Sequence, residues 1–133
     1  RDVELILRFL ALKEEYKKYK SPMKEFLNIF MVKYRNDKDK VQEFKNIFNR
    51  TVTEINSKLD RYTFRIKAGV HAAVLDSIMV AFALNLDRIP SNIRERHRQL
   101  LEDNEYIECI YKYTTVEEFV KQRIEIAIRK LFG

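Results

Sequence analysis

Glycine is scarce in this chain, which has only Gly69 and Gly133 among its 133 residues. Walker A loops, dinucleotide-binding turns and the nucleophile elbow of serine hydrolases each need closely spaced glycines. Only glycine lets the backbone turn so sharply or come so close to a phosphate. Because the two glycines lie far apart, the sequence excludes these three kinds of site.

Cysteine and histidine are also too few for several kinds of site. Cys109 is the only cysteine, which excludes an internal disulfide and a paired-cysteine zinc site. The two histidines, His71 and His97, lack the i,i+4 spacing of a zinc-binding helix. We therefore predict no metal site and no cofactor. A single unpaired thiol is typical of a reducing compartment, so we expect a cytoplasmic protein.

No stretch of the sequence is long and apolar enough to predict a membrane segment. The most apolar run, residues 72–86, contains Asp76 and is shorter than the roughly 20 apolar residues that span a bilayer. The charged start, RDVELILRFLALKEEYKKYK, does not resemble a signal peptide. We expect no membrane partner. Because the chain begins at Arg1 rather than Met, we also expect it to be a C-terminal fragment of a longer protein.

Helical periodicity covers the first half of the chain. Residues 3–19 are apolar on most sides of a helix, interrupted by Glu4 and Arg8 in the favourable i,i+4 order. Ser21 is the predicted N-cap of a second helix, with Pro22 at its first position. A polar turn at 36–40 precedes a third helix that runs to Leu59. The core stripe of the second helix consists of Met23, Phe26, Leu27, Phe30, Met31 and Tyr34.

The second half of the chain predicts a central apolar helix, roughly residues 71–86, and three further helices. The alternation at residues 62–67 indicates a short extended segment. Pro90 and Ser91 open a fifth helix, a short sixth follows, and Thr114 or Thr115 caps the seventh. The sequence therefore predicts an all-α fold. It is a single domain, residues 1–133, forming an irregular bundle of about seven helices around the apolar one.

Asp76 is the most conspicuous candidate for a functional side chain, since it is the one charge in the apolar helix. Burying an unpaired carboxylate is costly, so it needs a partner or a ligand. Arg65 and Arg123 are the candidate partners in a buried polar network. A small helical enzyme centred on Asp76 is an open alternative, which requires that Asp76 line a pocket beside other ionisable groups.

The net charge of +6 is distributed in basic clusters that nucleic acid could use. The candidate contacts are Lys13, Lys17, Lys18 and Lys20 in one cluster and Arg94, Arg96 and Arg98 in another. Acidic residues are interspersed in both clusters, so an ordinary solvated surface also explains them. An autonomous helical nucleic-acid-binding module is therefore an alternative function, which predicts one continuous basic face.

Three stretches of the sequence resemble one prokaryotic family. The first stretch, RDVELILRFLAL followed by SPMKEFLNIFM (residues 1–12 and 21–31), resembles the end of the conserved N-terminal region of GmrSD-type restriction endonucleases. FRIKAGVHAAVLDSIMVAFA and YTTVEEFVKQRI, at residues 64–83 and 113–124, resemble the helical C-terminal portion of shorter members. Together the quoted stretches account for 55 of the 133 residues.

The resemblance implies that catalysis lies outside this chain. Members of that family carry a ParB-like, sulfiredoxin-like domain with nucleotide-stimulated nuclease or nucleotide hydrolysis activity, in defence against phage. Its acidic, Gln/Arg-bearing motif is not present here, so no catalytic residue is carried over. We expect an inactive helical region that supports an upstream catalytic domain. DNA is a further candidate partner, and so is a second copy of the chain bound through the first helix.

Overall fold

The computed structural model describes residues 2–59, 71–112 and 115–133, and these residues form α-helices without any strand. The predicted all-α class is confirmed. The predicted extended segment at 62–67 and Arg65 lie outside the described residues. The helices are α1 (Asp2–Glu15), α2 (Met23–Tyr34), α3 (Lys38–Lys58), α4 (Ala72–Ala83), α5 (Ile93–Glu102), α6 (Asn104–Tyr111) and α7 (Glu117–Phe132).

Helix α4 is the centre of the bundle, as its composition predicts. Every residue of α4 except Ala72 and Leu75 is buried. The neighbouring helices α1, α3 and α7 all pack directly on it. Phe82 near its end meets Phe132 of α7 edge-on, with ring centroids 5.2 Å apart. Each fully buried Ile, Val or Phe contributes about 1.5–3 kcal/mol, so this helix supplies much of the apolar stabilisation.

The other helices form an outer layer around α4. Helices α5 and α6 pack on α7, and α2 packs on α1. The apolar stripe of α3 faces inward, with Phe44, Thr51 and Ile55 buried. The described residues contain no helix long and apolar enough to cross a bilayer.

The start of α2 differs from the sequence prediction. The predicted N-cap was Ser21, but α2 begins at Met23 with Pro22 in the extended cap position. Ser21 instead donates its backbone N–H to Glu117 at 3.2 Å, and the Ser21–Pro22 peptide bond is cis. Ser21 therefore contacts α7 through its backbone, and α2 begins without a side-chain cap.

The start of α7 also differs, since its N-cap is Val116 rather than Thr115, and Thr114 lies outside the described residues. The carbonyl of Thr115 accepts a 2.5 Å hydrogen bond from the Tyr19 hydroxyl. Glu117 and Glu118 occupy the first turn of α7, where carboxylates favour the helix dipole. The capping-box prediction was therefore wrong at Thr115, although its acidic residues lie where they stabilise the helix.

Helix α1 is shorter than predicted. It ends at Glu15, and the chain continues as a single 3₁₀ turn, Tyr16–Lys18, instead of remaining α-helical to Tyr19. Tyr16 and Tyr19 are both buried. The tighter turn accompanies this anchoring of two aromatic side chains, which local helix propensity alone does not predict.

Candidate functional site

Asp76 forms a buried ion-pair network at the centre of the bundle. Its carboxylate is fully buried, and so is Arg123, which approaches from α7. Arg123 donates from Nε to Oδ1 at 3.1 Å and from Nη2 to Oδ2 at 2.8 Å, which is the bidentate geometry of a strong charge-assisted pair. The structure therefore brings together two of the three residues that the sequence nominated.

Arg8 is the member of this network that the sequence analysis missed. It donates from Nε to Asp76 Oδ2 at 2.9 Å, and its Nη2 lies 2.8 Å from the same oxygen. From the sequence, only its favourable i,i+4 spacing with Glu4 was noted. The available signal was the position of Arg8 on a helix that is apolar on most sides, where a cation needs an interior partner.

The Asp76 network has the properties of a structural element. Two guanidinium groups direct four N–O contacts of at most 3.1 Å at one carboxylate, which leaves little room for a ligand. Asp76 lines neither the groove defined below nor three polar depressions on the surface, which lie around Asp39, Pro90 and Gln122. The enzyme alternative required a pocket at Asp76, and these cavities do not provide one.

Ser77 and Tyr106 form a second buried polar contact beside Asp76. The two hydroxyl oxygens are 2.6 Å apart, and Ser77 Oγ lies 2.8 Å from the carbonyl of Ala73. A carbonyl only accepts, so Ser77 donates to Ala73 and Tyr106 donates to Ser77. Burial raises the pKa of Tyr106, which keeps its hydroxyl protonated as that donor. The contact ties α6 to α4.

His71 and Cys109 both pack against neighbouring side chains. His71 precedes α4 and meets Tyr111 edge-on, with centroids 5.4 Å apart. Burial, together with nearby Arg123, lowers the pKa of His71 below its ordinary value of 6.5. Cys109 is buried, and its thiol lies 3.5 Å from the side-chain oxygen of Gln122. Burial raises the pKa of this thiol, so it is disfavoured as a nucleophile.

An apolar groove of about 250 Å³ lies between α1, α2 and α3, and we call it the α1–α3 groove. On α1 it is lined by Ile6, Leu7 and Leu10. On α2 it is lined by Phe30 and by Met31, which is 44% exposed. The apolar spacing of α2 predicted a core position for Met31, and this prediction was wrong because the side chain lies at an open edge between helices.

Aromatic rings form the floor of the α1–α3 groove. Phe30, Tyr34 and Phe44 form a cluster in which each pair of ring centroids lies 5.0–5.3 Å apart. Val41 and Phe48 of α3 complete the apolar lining. The helices meet here through large side chains, and the space above the rings is left open.

The α1–α3 groove continues along the surface of α1. Val3, Ile6, Leu7 and Leu10 follow the i, i+3, i+4, i+7 spacing of one helix face. Val3 is 78% exposed and Ile6 is 37% exposed. An apolar stripe that meets an open apolar groove is the kind of surface that marks an interaction site.

The basic residues nominated from the sequence fall into two separate groups. Tyr19 and Ser21, next to Lys17, Lys18 and Lys20, are joined to the start of α7. Arg96 donates to the carbonyl of Gly133 at 2.6 Å, at the other end of α7. At 1.5 Å rise per residue, α7 separates the groups by roughly 24 Å. The exposed stripe between them includes Glu118 and Glu125.

Several of these cations already have partners. Lys13 lies 3.3 Å from Glu14, and Arg98 lies 3.1 Å from Glu95. Arg94 is exposed and lines a shallow depression with Lys58. The described residues thus place the two groups on separate surfaces, and Lys13, Arg96 and Arg98 each have a carboxylate or carbonyl partner.

Comparison of the chain with protein-family models, with curated proteins and with solved structures finds no match.

Proposed function

We propose that this chain is the non-catalytic helical support and interaction region of a GmrSD-like prokaryotic restriction protein. The nuclease or nucleotide-hydrolysing domain lies upstream of these residues in this proposal, and the complete protein acts in the cytoplasm in defence against phage. The observation that carries the proposal is the open α1–α3 groove, which joins an exposed apolar stripe on α1.

Packing of another protein segment against the α1–α3 groove accounts for its composition. A soluble domain gains about 25 cal/mol for each Å² of apolar surface that it removes from water. Ile6 and Met31 remain partly exposed although they adjoin the buried rings of Phe30 and Phe44. A partner that covers them extends the existing core without rearranging it.

The resembling stretches contribute residues to both the buried network and the proposed docking surface. Arg8 comes from the first stretch, Asp76 from the second and Arg123 from the third, and the three meet in one buried network. The groove residues Ile6 and Met31 also come from the first stretch. The sequence features that suggest the family therefore include residues that organise the fold and the proposed docking surface.

The proposal is tested with the protein encoded by the complete reading frame, beside the 133-residue chain alone. We expect nucleotide-stimulated DNA cleavage by the complete protein and no cleavage or nucleotide hydrolysis by the chain alone. Met31→Glu should weaken capture of the separately expressed upstream domain about tenfold or more, because a charge would be buried in the interface.

Leu84→Glu is the matched control, since Leu84 is 42% exposed but does not line the groove. It should leave capture unchanged. Activity in the chain alone would overturn the proposal, and so would equal capture by Met31→Glu and the unmodified chain.

A further inference from the structure

The charges at the α1–α3 groove are all of one sign. Arg35 at the end of α2 and Lys45 on α3 are its only charged lining residues, and both are exposed. Within the described residues neither has a carboxylate within salt-bridge distance, whereas Lys33 and Lys40 nearby are each paired with glutamates. The groove thus combines an apolar floor with two available cations at its edge.

The spacing of the lining residues favours a helical occupant. On α3, Val41, Phe44, Lys45 and Phe48 follow the i, i+3, i+4, i+7 pattern of a face that packs against another helix. Lys45 occupies one position of this apolar stripe, so its methylene stem covers the groove while its ammonium group reaches the edge. A helix laid in the groove would bury its own apolar face and bring its flanking residues to Arg35 and Lys45.

We propose that the α1–α3 groove binds an amphipathic helix whose apolar face is flanked by acidic residues. This inference rests on the proposed function, because it names the chemistry of the segment that docks on the same surface. Leucine-like side chains of the segment contact the ring floor, and glutamate or aspartate side chains pair with Arg35 and Lys45. Helix-in-groove recognition of this kind is read through i, i+3, i+4 and i+7 anchors.

Charge and shape favour this occupant over two others. A second copy docked symmetrically through the same groove would bring Arg35 and Lys45 toward their own copies, and like charges in contact are unfavourable. A flat lipid surface would not reach the floor, because Phe30 and Phe44 are buried below the edge. A helix is convex enough to reach the floor of the groove, and its negative flanks complement the positive charges at the edge.

The test measures binding of three fluorescent peptides to the full 133-residue chain by anisotropy. Each designed peptide has about 16 residues with leucines at helical spacing, and the flanks carry glutamate, glutamine or lysine. We expect the glutamate peptide to bind about tenfold more tightly than the lysine peptide. Raising the salt concentration should weaken binding of the glutamate peptide and leave binding of the glutamine peptide nearly unchanged.

Charge reversal supplies the decisive variants, since both cations are exposed and their replacement should not disturb folding. In the double variant Arg35→Glu, Lys45→Glu, the preference should switch to the lysine peptide. Arg94→Glu, at an exposed site outside the groove, is the control and should keep the original preference. Circular dichroism of each variant checks that the helices are retained.

The outcomes separate this inference from the proposed function. Equal binding of all three peptides, abolished by Met31→Glu, would overturn the acidic-helix inference and support docking at the groove. Unchanged preference after charge reversal would also overturn the inference. Failure of every peptide to bind, with the domain-capture experiment also negative, would overturn both.

Discussion

Arg123 of α7 holds both carboxylate oxygens of Asp76 on α4, with N–O distances of 3.1 Å and 2.8 Å and both side chains fully buried. Arg8 of α1 reaches the same carboxylate. One acidic residue therefore fixes the relative positions of three helices. Removing the carboxylate or its arginine partners leaves an uncompensated charge in the interior, which is costly.

Asp76→Asn should lower the free energy of unfolding by about 3–5 kcal/mol, because two arginines lose their counter-ion in a buried site. Urea denaturation followed by circular dichroism measures this loss. Asp87→Asn is the control, since it breaks the exposed Arg50–Asp87 pair and should cost less than about 1 kcal/mol. Equal losses from the two variants would contradict a network stabilised by buried charge pairing.

Arg8→Met should be less destabilising than Arg123→Met, because Asp76 keeps its bidentate partner when Arg8 is removed. The side chain of Arg8 is 11% exposed, so its loss also leaves a smaller buried void. We expect about 1–3 kcal/mol for Arg8→Met. Denaturation of both single variants and of their combinations with Asp76→Asn gives the coupling energies. Additive losses would indicate that the arginines act independently of Asp76.

The bundle could be predicted from the sequence because its signals are strong. The apolar run around Asp76 predicts a central helix, and the spacing of Leu27 and Phe30 predicts the inner face of α2. Asp76 in such a helix also predicts a cationic partner, and Arg123 is that partner in the structure. Periodicity therefore predicts the all-α class and the central helix. The cost of burying a charge predicts the contact between Asp76 and Arg123.

The remaining features depend on tertiary contacts that spacing does not reveal. Arg8 has a favourable local neighbour in Glu4, but the desolvated carboxylate of Asp76 offers a stronger interaction. Met31 continues the apolar pattern of α2, yet only the positions of α1 and α3 decide whether that stripe is covered. The same limit applies to Val116, which caps α7 by position without any side-chain hydrogen bond.

Met31→Ala and Leu27→Ala should have different effects on stability although both residues lie on α2. Leu27 is buried, and its truncation should cost about 2–5 kcal/mol. Met31 lies at the open edge of the α1–α3 groove, so its truncation should change the free energy of unfolding by less than about 1 kcal/mol. Thermal and urea unfolding measure both. A loss of unfolding free energy for Met31→Ala as large as for Leu27→Ala would show that Met31 is a core residue.

His71 should make stability depend on pH just below neutrality. Burial and Arg123 lower the pKa of His71 from 6.5, so the folded chain binds its proton less readily than the unfolded chain. Stability should therefore fall as the pH drops below 6.5. Urea midpoints at several pH values should show a shallower fall in His71→Gln. Parallel profiles for the two proteins would assign the dependence to other groups.

Asp103 should stabilise α6 in two ways that can be separated. One carboxylate oxygen accepts the Tyr106 N–H at 2.9 Å as an N-cap, and the other lies 3.2 Å from Lys130 Nζ. Asp103→Ala removes both contacts and should cost about 1–2 kcal/mol. Asp103→Asn keeps a capping oxygen, so its cost should be smaller.

The acid profile of Asp103 provides the independent check. Burial alone would raise its pKa, but the Tyr106 N–H and Lys130 outweigh burial and hold the pKa below 3.8. The stabilisation is therefore present above pH 3.8 and is lost as the pH falls through the lower folded value. Asp103→Asn should remove this part of the acid sensitivity in urea titrations below about pH 4. An unchanged acid profile would show that the ionised carboxylate is not what stabilises the start of α6.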